Sequence, residues 1–142
     1  MEIKLTKGIE TLQFGMTKDE VITLLGKPNI EKPDPDDADE LLLIYNELKI
    51  TLTFYLNEGG KFGYVRSNNP NISFNGQKVI DTKVTDAKAL FEKCKLWEKE
   101  TYDFFTTYFN EENWIILNVQ YDRVFEIELG VPIKNNEFQW KD

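Results

Sequence analysis

The stretch Phe14-Gly15-Met16-Thr17-Lys18-Asp19-Glu20-Val21-Ile22-Thr23-Leu24-Leu25-Gly26-Lys27-Pro28 carries both the start and the stop of a helix. Thr17 is an N-cap whose side chain accepts the backbone N–H of Glu20, while the Glu20 carboxylate accepts the N–H of Thr17, the reciprocal pair of a capping box. Met16 stands where it can pack on Val21 as a hydrophobic staple. Gly26 supplies a left-handed stop, and Pro28 forbids continuation. These signals predict a helix over 18–25. So short a helix does not persist alone in water, so its Val21, Leu24 and Leu25 stripe must dock on something larger.

That larger element reads as sheet. Leu48, Ile50, Leu52, Phe54 and Leu56 alternate with Lys49, Thr51, Thr53 and Tyr55, which sends one row inward and the other outward. Leu41 to Tyr45 precedes this strand across a turn at Asn46-Glu47, and Phe62 to Asn68 follows it through Asn57-Glu58-Gly59-Gly60. The second half has the same order. Asp81 to Cys94 places Ala87, Leu90, Phe91 and Cys94 on one helical stripe, and a shift of about 66 residues lays Val21, Leu24 and Leu25 on Ala87, Leu90 and Phe91. Strands Tyr102 to Phe109, Trp114 to Tyr121 and Val124 to Leu129 come next. The expected fold is α+β: an antiparallel sheet with short helices packed on one face, built from a helix-plus-three-strand unit that occurs twice, over 9–76 and 77–133, within one domain.

The motif Phe14-Gly15-Met16-Thr17, then Glu20-Val21 and Leu24-Leu25-Gly26-Lys27-Pro28, with an alternating apolar hairpin downstream, resembles the signature of the β-lactamase-inhibitor-protein-like group of small bacterial proteins. That group includes outer-membrane lipoprotein assembly factors of the SmpA/OmlA type. The resemblance implies a sheet with helices on one face and the other face free for a protein partner. Members of the group act by binding proteins, and several are inhibitors. The lipoprotein branch carries a signal sequence and a lipidated cysteine, and neither is written at the start of this sequence.

Composition narrows the chemistry. The chain has 142 residues, 25 acids, 17 bases and no histidine, for a formal charge of −8. Without histidine, Ser-His triads, Cys-His dyads and His-rich zinc sites are excluded. The negative charge opposes nucleic acid and anionic membranes, which are bound through clustered Lys and Arg, and favours a basic partner. Cys94 stands alone, so no intrachain disulfide forms. The first residues, Met1-Glu2-Ile3-Lys4-Leu5-Thr6-Lys7, hold no apolar run of signal-sequence length, and no stretch is long enough to span a membrane. A cytoplasmic location is expected, or a periplasmic one if an export segment has been removed.

Two features are candidates for function. The acidic stretch from Lys27 to Glu40 contains Asp34, Asp36, Asp37 and Asp39 and is punctuated by Pro28, Pro33 and Pro35. Starting at Asp34 the ligand alternation of a calcium loop fails at Ala38, and Asp39 stands where the glycine is needed. The stretch reads as a solvated connector or as an acidic patch that steers a basic partner. With Leu48, Ile50, Leu52, Phe54, Ile115, Leu117, Val119, Phe125, Ile127 and Leu129 facing the helices, the opposite rows carry Tyr55, Tyr64, Arg66, Tyr102, Tyr108, Trp114, Ile116, Glu126 and Glu128. Aromatics beside a few charges suit a binding surface, and they also stabilise a sheet without any partner. Gly59-Gly60-Lys61 has no helix after it and reads as a hairpin turn, and Cys94 reads as a small buried hydrophobe.

No catalytic constellation, cofactor motif or metal-ligand spacing emerges. The expected function is a protein-binding module, most concretely an intracellular inhibitor or immunity-type protein that neutralises a basic bacterial toxin or enzyme. The alternatives are an envelope assembly factor lacking its export segment, and a small-molecule-binding protein that uses carboxylates and tyrosines in a sheet cavity.

Overall fold

The computed structural model describes residues 1–140. Three two-residue strands open the chain, β1 (Ile3–Lys4), β2 (Gly8–Ile9) and β3 (Leu12–Gln13), and lead into helix α1 (Lys18–Leu25). Four strands follow: β4 (Ile30–Asp34), β5 (Asp37–Tyr45), β6 (Ile50–Tyr55) and β7 (Lys61–Ser67). A small hairpin, β8 (Ser73–Phe74) and β9 (Gln77–Lys78), leads into α2 (Val84–Leu90). Four more strands come next: β10 (Glu98–Thr101), β11 (Thr106–Asn110), β12 (Ile115–Gln120) and β13 (Arg123–Gly130). A last hairpin, β14 (Ile133–Lys134) and β15 (Glu137–Phe138), ends the described chain. The fold is α+β, with an antiparallel sheet and two short helices.

Helix α1 forms where its signals place it. The Glu20 N–H donates to Thr17 Oγ1 at 3.2 Å and the Thr17 N–H donates to Glu20 Oε1 at 3.1 Å, closing the capping box. Gly26 ends the helix at φ 85°, a conformation that only glycine adopts without strain. Val21 is fully buried, but Leu24 is 48% exposed, so the docked stripe is Val21 with the partly buried Ile22 and Leu25. Helix α2 has no side-chain cap at Lys83 and stops at Leu90, short of the span to Cys94 that its stripe predicts. There the chain turns, with the Cys94 N–H donating to the Phe91 carbonyl at 2.9 Å, and both side chains stay buried.

The eight long strands form one sheet in the order β10-β11-β12-β13-β7-β6-β5-β4. Each half is thus a four-strand meander, and the halves join edge to edge through β13 and β7. Equivalent bonds tie each helix entrance to its sheet. The Gly15 N–H donates to the Phe62 carbonyl and the Phe62 N–H to the Met16 carbonyl; in the second half Asp81 donates to Val124, and Val124 to Thr82. Across the joint, Ser67 faces Ile127 and Val65 faces Leu129, with Arg66 opposite Glu128 between them. Exchanging the halves maps this register onto itself, so the Arg66–Glu128 pair sits at the centre of the sheet.

One face of the sheet carries the core. Leu43, Leu52, Val65, Ile115, Leu117 and Ile127 are fully buried there, in one cluster with Val21 of α1 and Val84 and Ala87 of α2. Each such side chain contributes about 1.5–3 kcal/mol by leaving water.

The structure differs from the sequence reading in four places that matter for the other face. The acidic stretch is no connector: it folds as the β4–β5 hairpin, with Asp36 at its turn and Pro33 in the edge strand, where a missing N–H costs no ladder bond. The segment Glu98–Thr101 after α2, assigned to no strand by the sequence reading, is also an edge strand, β10, whose four residues are all exposed. These two strands raise the expected meanders from three strands to four. A β-bulge between Asn118 and Val119 pairs Val119 with Val124 and turns Phe125 away from the helices, leaving it 37% exposed. Tyr108 pairs with the fully buried Leu117 and packs on the core side, with Lys88 of α2 5.0 Å from its ring centroid, so it does not belong to the outward row.

Candidate functional site: the outer sheet face

The face turned away from the helices is built from cross-strand rows. One runs the full width of the sheet: Glu98, Phe109, Ile116, Glu128, Arg66, Thr51, Ile44 and Ile30, each paired to the next. A second row on the β10 side reads Glu100, Thr107, Asn118 and Glu126. A third, on the β4 side, reads Gly130, Tyr64, Thr53, Leu42 and Lys32. Period-two alternation from strands whose other face is core is what sends these side chains here together.

A polar cluster occupies the middle. The Tyr64 hydroxyl donates to Glu128 Oε1, and Arg66 Nη2 lies 3.4 Å from the same oxygen. Asn118 Nδ2 donates to Glu128 Oε2 at 2.7 Å and to Glu126 Oε1 at 2.9 Å, and Arg66 Nε stands 3.9 Å from Glu126 Oε1. Because both amide hydrogens of Asn118 go to carboxylates, its orientation is fixed, and its buried Oδ1 has no hydrogen-bond partner among the described residues. Burial pushes the Tyr64 hydroxyl far above the ordinary tyrosine range, reinforced by the charge of Glu128. Burial also raises Glu126, against the lowering pull of Arg66.

Aromatic rings flank the cluster on three sides. Tyr55 holds Phe138 at 4.7 Å between centroids, and Trp140 stacks on Phe138 at 5.4 Å and donates its indole N–H to Glu58 at 2.9 Å. The C-terminal segment thus lies against the first half of the face. Gly63 permits this approach, since a Cβ there would stand 2.7 Å from Tyr55 Cδ2 and 2.8 Å from Trp140 Cη2. Trp114, in the turn before β12, and Tyr64 both lie against Gly130, where a Cβ would meet Trp114 Cδ1 and stand 2.9 Å from Tyr64 Cδ2. On the second half, Tyr102 stacks on Phe105, and Phe105 meets Phe125 edge to face.

Depressions open around Arg66, and two of them hold candidate residues beside aromatic rings. The first, about 220 Å³, is lined by Asp34, Glu40, Thr53, Tyr55 and Tyr64. Glu40 is pushed up to about 7 by burial, with Asp37 adding to the rise. The second, about 570 Å³, is lined by Glu100, Tyr102, Phe105, Asn118, Phe125 and Glu126 among others. Carboxylates outnumber bases on this face: Asp34, Glu40, Glu98, Glu100, Glu126 and Glu128 stand against Lys32, Lys61 and Arg66.

Of the candidate residues, Tyr64, Arg66, Glu126 and Glu128 come together at the centre, with Tyr55, Tyr102 and Trp114 around them. Asp34 lines the first depression, while Asp36, Asp37 and Asp39 lie exposed at the tip of the β4–β5 hairpin. Sequence reasoning passed over Asn118, Thr107, Glu100, Phe105 and Phe125. Glu100 lies on an edge strand without an apolar pattern, Thr107 was on the wrong face once Tyr108 was read as outward, and Phe125 was hidden by the bulge.

The described elements define a class: an α+β chain whose antiparallel sheet has helices on one face and an acidic, aromatic-rimmed surface on the other. No family model matches the chain, and no curated protein matches it. Among solved structures it is similar to an extracellular protein containing an SCP domain from Bacillus anthracis str. Ames, with a TM-score of 0.54 and 13% identity. The match covers 89% of this chain and 49% of that one, so the chain spans about half the length of that protein. At such low identity the likeness is one of fold. Among the described residues no helix is long and apolar enough to cross a membrane.

Proposed function

We propose that this protein is a protein-binding module whose outer sheet face docks a basic partner, and that it acts as an intracellular inhibitor or immunity-type protein neutralising a toxin or enzyme of basic character. One observation carries the reading: a broad sheet face, opposite the core, that concentrates six carboxylates and a rim of aromatic rings around a single arginine. Aromatics give large contact area at low entropic cost, and surplus carboxylate charge accelerates encounter with a basic surface. Hydrogen-bonded placement of Tyr64, Arg66 and Asn118 keeps the centre of the face rigid, which lowers the cost of ordering it on binding.

Co-expression with a basic toxin, taken from any toxin gene found immediately upstream, tests the function. The wild-type chain rescues growth and Thr51→Arg, which adds a positive charge beside Arg66 in the central row, does not. Toxicity left unchanged by the wild-type chain would count against neutralisation of that toxin.

A further inference from the structure

We propose that the larger depression, on the second half of the outer face, is a receptor for one arginine side chain presented by the basic partner. The inference rests on the docking role of this face and adds the chemistry of its anchor.

The floor of the depression is the row Glu100, Thr107, Asn118 and Glu126, with a carboxylate at each end. Its wall is aromatic: Tyr102 and Phe105 stack at 5.0 Å, and Phe125 stands edge-on to Phe105. Tyr102 is 47% exposed and Phe125 37%, so ring surface is open to an incoming group. Carboxylates beside aromatic faces match a guanidinium, which is planar, always charged, donates in a fork and stacks on rings. A compact ammonium uses the charge but not the faces.

The charge count is unbalanced in the right direction. Glu100, Glu126 and Glu128 line the site, and Arg66 is the one base in its lining. Arg66 approaches from the β7 side, its Nε 3.9 Å from Glu126 Oε1, so the chain itself shows that this carboxylate pair accommodates a guanidinium at its edge. A second one entering from the β10 side would meet Glu100 and the remaining lone pairs of Glu126.

An independent sign lies on the floor. Asn118 is only 2% exposed, spends both amide hydrogens on Glu126 and Glu128, and leaves Oδ1 without a partner. A buried acceptor left unpaired is costly, and natural structures rarely keep one that no donor ever meets. Toward an incoming donor the floor offers the Glu100 carboxylate and the oxygens of Glu126 that Asn118 leaves free.

The probe is a hexa-arginine peptide, titrated into the full chain at low salt and followed by amide and side-chain NMR, with hexa-lysine alongside. The expected result is saturable shifts centred on Tyr102, Thr107, Asn118 and Glu126, with hexa-lysine about threefold weaker or worse. The pair Glu100→Gln and Glu126→Gln weakens hexa-arginine about fivefold or more, whereas Asp36→Asn with Asp37→Asn, which removes equal charge at the hairpin tip, changes it by less than about twofold. Both double variants are first shown to keep the wild-type amide spectrum away from the altered positions; if Glu100→Gln with Glu126→Gln does not, Thr107→Trp, which fills the depression without removing charge, takes its place. Shifts scattered over the acidic surface, or equal losses in the two variants, would overturn the arginine site. If Thr51→Arg still abolishes rescue in that case, the docking face stands and only the anchor is wrong.

Discussion

Replacing Tyr64 by Phe removes one hydroxyl from the centre of the sheet and changes nothing else in shape. The lost bond runs from a half-buried phenol to the Glu128 carboxylate, which is 12% exposed at its side chain. Hydrogen bonds to a charged partner are worth about 1.5–3 kcal/mol net. Glu128 is not orphaned by the change, because Asn118 Nδ2 at 2.7 Å and Arg66 Nη2 at 3.4 Å remain. The cost therefore falls near the bottom of the range, about 1.5 kcal/mol, which for a chain of this size lowers Tm by roughly 3–6 °C. Urea titration at pH 7 should show the midpoint falling with the slope m unchanged, because no additional surface is exposed. A Tyr64→Phe midpoint equal to wild type at pH 7 would refute the claim that this cluster holds the centre of the face.

Three further outcomes follow from the same geometry. Thr17→Ala breaks the capping box of α1 and should cost about 1 kcal/mol in chemical denaturation, while Thr17→Ser should cost only a few tenths. Glu40 has a folded-state value of about 7, above its ordinary 4.5, so the folded protein binds this proton more tightly than the unfolded chain, and stability should fall as pH rises from about 4.5 through 7. Glu40→Gln should flatten that fall, matching wild type near pH 4 and exceeding it at pH 8 by less than about 1 kcal/mol, since the group is partly solvated. Gly63→Ala puts a methyl where Tyr55 and Trp140 meet, so the Trp140 indole N–H should leave Glu58 and its NMR signal shift toward that of a free indole, with Trp97 undisturbed.

The parts of the fold that were legible in the sequence are those whose signals are local. Thr17, Glu20, Gly26 and Pro28 specify α1 at both ends, and the alternation through Ile50, Leu52 and Phe54 specifies β6, because one face of that strand is core. Strands β4 and β10 were hidden by their position. At the two edges of the sheet they bury almost nothing, so Glu31, Lys32, Pro33, Glu98, Lys99 and Glu100 carry no apolar pattern that would mark a strand. Phe125 and Tyr108 were assigned to the wrong faces for a related reason. Alternation counts residues, and the bulge at Asn118/Val119 inserts one that the count does not see, while the true start of β11 at Thr106 decides which of its aromatics turns inward. Of the site, Tyr64, Arg66, Glu126 and Glu128 were legible as an outward row. Their convergence on one carboxylate was not, because it depends on β7 pairing with β13, a contact between strands more than fifty residues apart in sequence.

The most direct test of the docking face is a comparison of two arginines. Thr51→Arg adds a charge to the central row of the outer face, and Ala89→Arg adds the same charge to an exposed position of α2 on the opposite side. The dissociation constant of the purified basic partner is measured by calorimetry for both variants and for wild type at physiological salt. Docking on the outer face predicts that Thr51→Arg weakens binding about tenfold or more and that Ala89→Arg stays within about twofold of wild type. The reverse order, or equal effects from the two faces, would contradict it.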